Sequence, residues 1–302
     1  MNESPLVSIL INNYNYGRFL GEAIDSALNQ TYPHVEVIVV DDGSTDDSKN
    51  IIANYGNRIQ PILKKNGGQA SAFNAGFLNS QGDIICFLDA DDAFVPEKVT
   101  EVVKVFKSNK DCGWCFHPQA LAYTEDKISL RSNYTPKFIR HDLRGNMQRG
   151  KLGNPFVFLI PATSGMCFSR SLLQQILPMP ESKGINLNDS YIKFVALGIS
   201  KGAALDAKLS IQRIHKDNAF TLRNDKQKAA EIHILLAYWL RKKFPVLTKF
   251  ANNLFAVGFA DYSQFELTEV TYQEMITEYL ALLTPIEKLR LKLKIRFHSL
   301  KT

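Results

Sequence analysis

Cysteine is scarce: four in 302 residues, at positions 86, 112, 115 and 167. Thiols so few and scattered exclude a disulfide scaffold and fit a reducing compartment. Cys112-Gly113-Trp114-Cys115 has the spacing of a redox motif. It lies inside an apolar run rather than at a helix start, and no second ligand pair accompanies it for zinc. Long apolar runs are missing too: none approaches the roughly 18 residues of a membrane span. No repeat or low-complexity segment stands out. Met1 to Pro5 is polar and the apolar run behind it breaks at Asn12 and Asn13, so no secretory leader is read there. A cytoplasmic protein is expected. The formal net charge of +6 is modest, and much of it gathers at Lys288, Arg290, Lys292, Lys294, Arg296 and Lys301. That local excess points to an anionic surface or a solvated face, not to nucleic acid along the whole chain.

What the chain has is alternation. Leu6–Ile11, Val35–Val40, Ile59–Leu63 and Ile84–Leu88 read as strands. Between them, apolar pairs recur every four residues from Phe19 to before Pro33, and helices are expected through Tyr55 and over Ala70–Asn79. A further helix carries Val99, Val102, Val103 and Phe106. Ser44 with Asp47 resembles a capping box for the second helix. Such βαβ order predicts a mostly parallel sheet with helices on both faces.

The stretch that organises the rest is Gly82 to Asp92. A buried strand runs directly into Asp89-Ala90-Asp91-Asp92, at the strand end where open α/β sheets collect ligands. Extended backbone past Leu88 aims Asp89 and Asp91 the same way, toward one hard cation that bridges to phosphates. Asp92 is expected to point away and cap the helix near Pro96-Glu97. Asn12 to Asn15 and Asp41/Asp42 end two other strands at the same edge. Asp46 and Asp47 read as helix-start carboxylates. Gly67 and Gly68 serve positive φ, or lend their N–H groups to a phosphate. Asn74 is either a ligand contact or a core-edge amide.

Past Asp111 the pattern weakens. Cys112–Phe116 reads as a strand, Arg131–Lys151 as a polar, basic loop and Asn154–Ile160 as an apolar run. Ser171–Ile176 is a helix, Pro178–Gly184 a turn-rich linker, and a helix begins at Asn188-Asp189. Leu209–Ile214 is a strand ended by His215, and from Lys226 the period is helical. Ile286, Leu289, Leu293, Phe297 and Leu300 fit one helical face, yet residues 289 to 297 also alternate as a strand does. Residues 286–301 read as a helix packed on the domain, as a tail, or as a basic amphipathic helix on anionic lipid at the inner face of the membrane.

Taken in order, several pieces resemble the family 2 glycosyltransferases. They are Val7-Ser8-Ile9 with Asn13-Tyr14-Asn15, Ala27 to Tyr32, Val37 to Asp46, Asn66-Gly67-Gly68 with Asn74-Ala75-Gly76, and Gly82 to Asp92. Weaker matches are Thr163-Ser164-Gly165, Pro178 to Pro180, Asp189 and Arg213-Ile214-His215. The resemblance implies a GT-A, Rossmann-like fold, 1–110 the nucleotide-sugar half and 111–220 the acceptor half. Residues 221–302 carry no match and are expected from their own periodicity to be a helical C-terminal extension. The resemblance also implies an inverting transfer of sugar from a nucleoside diphosphate, uridine-linked by expectation, to a glycan, lipid-linked or protein hydroxyl in cell-surface polysaccharide or glycan assembly. Asn12, Asn13, Asp41, Asp42, Asn74, Asp89 and Ala90 would hold the nucleotide sugar. Asp89, Asp91 and His215 would hold Mn²⁺ or Mg²⁺, and Asp189 would be the base, its rival role being a helix N-cap. A sugar-phosphate nucleotidyltransferase would carry a Gly-rich, basic loop after the first strand, which Asn12–Gly17 lacks. A non-catalytic nucleotide-sugar binder is the other alternative.

Overall fold

The computed structural model describes residues 4–123, 136–152, 161–181, 187–216, 218, 225–263 and 270–299. The first βαβ units are β1 (Val7–Asn13), α1 (Gly17–Leu28), β2 (Val35–Asp41), α2 (Ser48–Asn54), β3 (Gln60–Leu63), α3 (Gly68–Asn79) and β4 (Ile84–Asp89). Then follow β5 (Ala93–Phe94), α4 (Lys98–Ser108), β6 (Cys112–Phe116), β7 (Gln119–Tyr123), β8 (Phe138–His141) and α5 (Arg144–Gln148). A one-turn 3-10 helix, Thr163–Gly165, leads into β9 (Met166–Ser169), α6 (Arg170–Ile176), α7 (Asp189–Ile199), β10 (Lys201–Leu205) and β11 (Ser210–Ile214). Four helices close the chain: α8 (Lys226–Lys243), α9 (Thr248–Tyr262), α10 (Val270–Ala281) and α11 (Pro285–Ser299).

Eight strands form one sheet in the order β3-β2-β1-β4-β9-β6-β10-β8, and β5-β11-β7 form a smaller one. Parallel pairing links β3, β2, β1 and β4, while β9 runs antiparallel between β4 and β6. The large sheet thus draws strands from both 1–110 and 111–220.

Strand period two sorts the apolar residues onto two faces. Ile9, Ile11, Val37, Val39, Ile84, Cys86 and Leu88 pack with α1 and α4. Leu10, Ile38, Val40, Ile85 and Phe87 pack with α3 and, farther along the sheet, with α7 and the C-terminal helices. Burial on both faces is why these strands are near-continuous apolar runs.

Several local expectations give way to tertiary contacts. No capping box forms at Ser44: its Oγ accepts instead from Asn13 Nδ2 and Asn15 N, tying the β1 loop to the β2 turn. The second helix starts at Ser48, where Asp46 Oδ1 accepts from the Ser48 amide and hydroxyl. Asp92 does not cap α4, whose N-cap is Glu97 without a side-chain bond. The described part of the expected loop 131–151 holds β8 and α5, because β8 finds an edge on β10 that no local pattern announces. The end of the chain is a helix rather than a strand. Residues 154–160 lie outside those described.

Candidate functional site

Parallel pairing in register builds the site's rim. Asn13 stands opposite Asp41 on β2, and Asn12 opposite Asp89 on β4. Three strand ends remote in sequence therefore share one edge of the sheet, as expected.

The carboxylates of the β2 turn are engaged by neighbouring segments. Asp41 is fully buried and accepts from Asn13 Nδ2 at 2.8 Å and from the Ser44 amide at 3.1 Å. Asp42 accepts from Lys64 Nζ at 2.5 Å and from the Gly67 and Gly68 amides at 3.0 and 2.7 Å. The N–H groups considered for phosphate are thus engaged by Asp42 at the start of α3. Gly68 has the expected positive φ, +81°, whereas Gly67 has φ −141°. A Cβ on Gly67 would instead meet Ser71 Oγ at 2.7 Å.

Asn12 differs. Both polar atoms of its amide are buried and find no partner among the described residues. An unpaired buried amide costs about 1–3 kcal/mol, so a donor and an acceptor stand ready beside Asp89. Ala90 is buried, and its amide donates to the Asn12 carbonyl at 3.1 Å, holding the acidic loop against β1. Asn74, on α3, is engaged by the protein itself. Its amide exchanges bonds with the Met179 backbone and donates to Glu181, fastening α3 to the turn after α6.

Past β4, Asp89, Asp91 and Asp92 each bring a carboxylate oxygen within 4.8 Å of the others. Burial pushes the Asp89 carboxyl well above its ordinary range, and the charges of Asp91, Asp92 and Asp189 push it further. Asp92 is raised to about 8, by burial first and by Asp91 next. Three carboxylate oxygens clustered in this way are a donor set for a hard divalent cation, which would relieve their repulsion.

The acids have distinct supports. Asp91 Oδ2 lies 3.0 Å from His215 Nε2 and 3.1 Å from Asn218 Nδ2. Arg213 Nε donates to the Asp91 carbonyl at 3.2 Å, and its guanidinium lies over Phe19 and pairs with Glu22. Asp92 turns inward, accepting from Ser164 Oγ at 2.6 Å and the Arg213 amide at 3.0 Å, so it clamps β11 to the site. The Ser164 hydroxyl also accepts from the Asp89 amide at 3.1 Å. Buried Lys98 donates to the Ser164 carbonyl at 2.7 Å. Its ammonium sits over the Phe94 ring, and burial lowers its pKa.

Asp189 opens α7, but Asn188 performs the capping, accepting from the Ser190 amide at 3.1 Å. The Asp189 carboxylate is thereby released from that duty and lies 3.2 Å from Lys193 Nζ. The Asp189 amide donates to Gln69 Oε1 at 3.3 Å, and Gln69 Nε2 donates to Thr163 Oγ1 at 3.4 Å. Thr163 in turn hydrogen-bonds Asp89. This relay brings Asp189 to the same site as the Asp89 cluster, 100 residues earlier in sequence.

Sequence reasoning passed over the supporting roles of Arg213, Asn218, Ser164 and Lys98. One signal was present: Arg213 is a cation inside an apolar strand, a position that demands buried partners.

Among the described residues, no helix is long and apolar enough to cross a membrane. The family model described as "Glycosyl transferase family 2" matches residues 8–177. An uncharacterized glycosyltransferase of Nostoc sp. is 35% identical over 216 residues, covering 70% of this chain and 66% of that protein. The chain spans 66%, 37% and 56% of the length of three curated relatives it matches. Among solved structures, residues 1–349 of TarS from S. aureus in complex with UDP-GlcNAc align with a TM-score of 0.59 at 16% identity. That alignment covers 86% of this chain and 73% of the other. The mannosyltransferase PcManGT from Pyrobaculum calidifontis, in complex with GDP-Man and Mn²⁺, aligns with a TM-score of 0.52 at 17% identity over 99% and 88% of the two chains. Both likenesses bear on the fold, which is GT-A.

Proposed function

The chain belongs to glycosyl transferase family 2, and from that membership and the acids at the end of β4 we propose that it moves a sugar, with inversion, from a nucleoside diphosphate to an acceptor hydroxyl. The observation that carries this is the convergence of Asp89, Asp91 and Asp92 within 4.8 Å at the edge where β1 and β2 also end.

In this reading Asn12 meets the base or ribose with its unpaired amide, and Asp41 and Asp42 shape the wall beside it. Asp89 and Asp91 face the diphosphate, with His215 and Asn218 fixing the Asp91 carboxylate. When bound there, Mn²⁺ or Mg²⁺ supplies Lewis-acid neutralisation of the charge gathering on the departing diphosphate. Asp189 takes the acceptor hydroxyl's proton as that oxygen bonds to the anomeric carbon. The bond from that carbon to the diphosphate oxygen breaks with its electron pair, and nucleoside diphosphate leaves. A carboxylate opposite the leaving group is what inversion requires.

A uridine donor is assigned from resemblance, supported by a neighbour of like fold that holds UDP-GlcNAc. A cell-surface polysaccharide or other glycan as acceptor rests on resemblance alone. Incubation with UDP-, GDP- and TDP-sugars plus Mn²⁺, followed by release of free nucleoside diphosphate, tests the reading. Slow donor hydrolysis by one of them, lost with chelator and restored by Mn²⁺, is expected. Tight donor binding with no release under any condition would make the chain a non-catalytic binder.

A further inference from the structure

The last helix carries a surface that the sugar-transfer site does not use. One face of α11 is fixed to the protein. Leu291 is buried, Ile295 packs against the core, and Glu287 accepts from Arg241 Nη1 and Asn252 Nδ2 at 3.0 Å each. The opposite face holds Ile286, Leu289, Leu293 and Phe297, which are 56–65% exposed. Steps of three, four and four residues align these side chains in one stripe along the helix. A rigidly held helix with a continuous exposed apolar stripe is unlike scattered surface leucines and marks an interaction surface.

The charges around the stripe identify its partner. Arg290 lies along one flank, where Lys294, one turn on, is turned to the protein by a hydrogen bond to Asn253. Lys292 and Arg296 lie one turn apart along the other flank. The helix has a single acid, Glu287, and that residue faces inward to Arg241. Apolar side chains flanked by Arg290 on one side and by Lys292 and Arg296 on the other match an anionic bilayer surface, where aliphatic stems and stripe enter the acyl boundary and the charges meet headgroup phosphates. A second copy of this chain fits poorly, because a two-fold contact through the stripe would set these Arg and Lys side chains of one copy against those of the other. Nucleic acid fits poorly as well, since the centre of the surface would offer aliphatic side chains to phosphates.

We infer that α11 docks the protein on anionic lipid, lying in the plane of the interface with Ile286, Leu289, Leu293 and Phe297 inserted. This holds whether or not the site at β4 transfers sugar, since lipid binding is read without any donor.

The test is co-sedimentation of the full chain with vesicles of phosphatidylcholine, alone or mixed with phosphatidylglycerol. Binding to the anionic vesicles only, weakening as salt rises, is expected. Arg290→Gln/Lys292→Gln/Arg296→Gln should lower the partition coefficient about a hundredfold. Leu289→Gln/Leu293→Gln should release the protein at equal charge. Phe297→Trp in the otherwise native chain gives a second readout, its emission shifting to the blue on anionic vesicles alone. Three results would overturn the inference: protein left in the supernatant with anionic vesicles, unchanged binding by the triple variant, or a dimer in solution that Leu289→Gln/Leu293→Gln converts to monomer.

Discussion

His215 Nε2 lies 3.0 Å from Asp91 Oδ2 across 124 positions of sequence, and Asn218 Nδ2 reaches the same oxygen at 3.1 Å. Two groups from the segment after β11 therefore hold the Asp91 carboxylate, the one proposed to face the diphosphate. Asp91→Asn keeps the volume and one acceptor while deleting the charge. Sugar transfer or donor hydrolysis should fall at least about 100-fold, the scale of losing one transition-state electrostatic contact. The melting temperature should hold or rise, because a charge that burdens Asp89 and Asp92 is gone. Near-normal turnover in this variant would remove Asp91 from the cation site.

Asp189 is freed from capping by Asn188, which makes the two residues separable. Asp189→Asn should cost about 100-fold or more in turnover, the usual scale for a lost general base. Donor affinity, read by calorimetry, should be nearly unchanged. Asn188→Ala should do the reverse, costing about 1 kcal/mol of stability through the lost cap and leaving kcat close to normal. If Asp189→Asn turns over normally, the proton goes to another residue.

Arg213 is buried while its partner Glu22 is nearly half exposed, so the two ends of this pair are unequal. Removing the buried end strips the Asp91 carbonyl and the Phe19 ring of a cation as well. Arg213→Gln should destabilise by about 3 kcal/mol, and Glu22→Gln by no more than about 1 kcal/mol. Urea unfolding of the two variants checks the asymmetry.

Glu287 holds α11 to α8, and its bonds with Arg241 keep its carboxyl down at about 2. The folded value lies below the ordinary 4.5, so the charged form is the stabilising one. That contribution is complete above about pH 4.5 and disappears as pH falls toward about 2. Partial exposure of the pair limits it to about 2 kcal/mol. Acid unfolding monitored by circular dichroism should show wild type losing this advantage over Glu287→Gln across that window. A difference that does not change with pH would mean the pair contributes packing rather than charge.

Much of this protein was legible before any coordinates. Leu10 and Ile9, Ile38 and Val39, Ile85 and Cys86 announce strands buried on both faces, because side-chain direction alternates by chain geometry alone. Asp89 ends β4 as that rule has it, but the expected extended backbone does not continue. The chain turns at Ala90-Asp91, where the Asp92 amide donates to the Asp89 carbonyl at 3.0 Å, so the turn and not strand alternation brings the acids together. Burial and partners could not be read that way. Asp92 looked like a cap and became a buried clamp on Arg213 and Ser164, since its partners lie 72 and 121 residues away. Cys112–Phe116 was evident as a strand, but its place beside β9 and β10 was not. The repeating pattern of 289 to 297 suits helix and strand alike, and packing of Leu291 and Ile295 on the core decided for helix. Local sequence sets which way a side chain points. Only the folded chain sets what it meets, because hydrogen bonds, charge repulsion and desolvation act over ångströms and carry no memory of separation along the sequence.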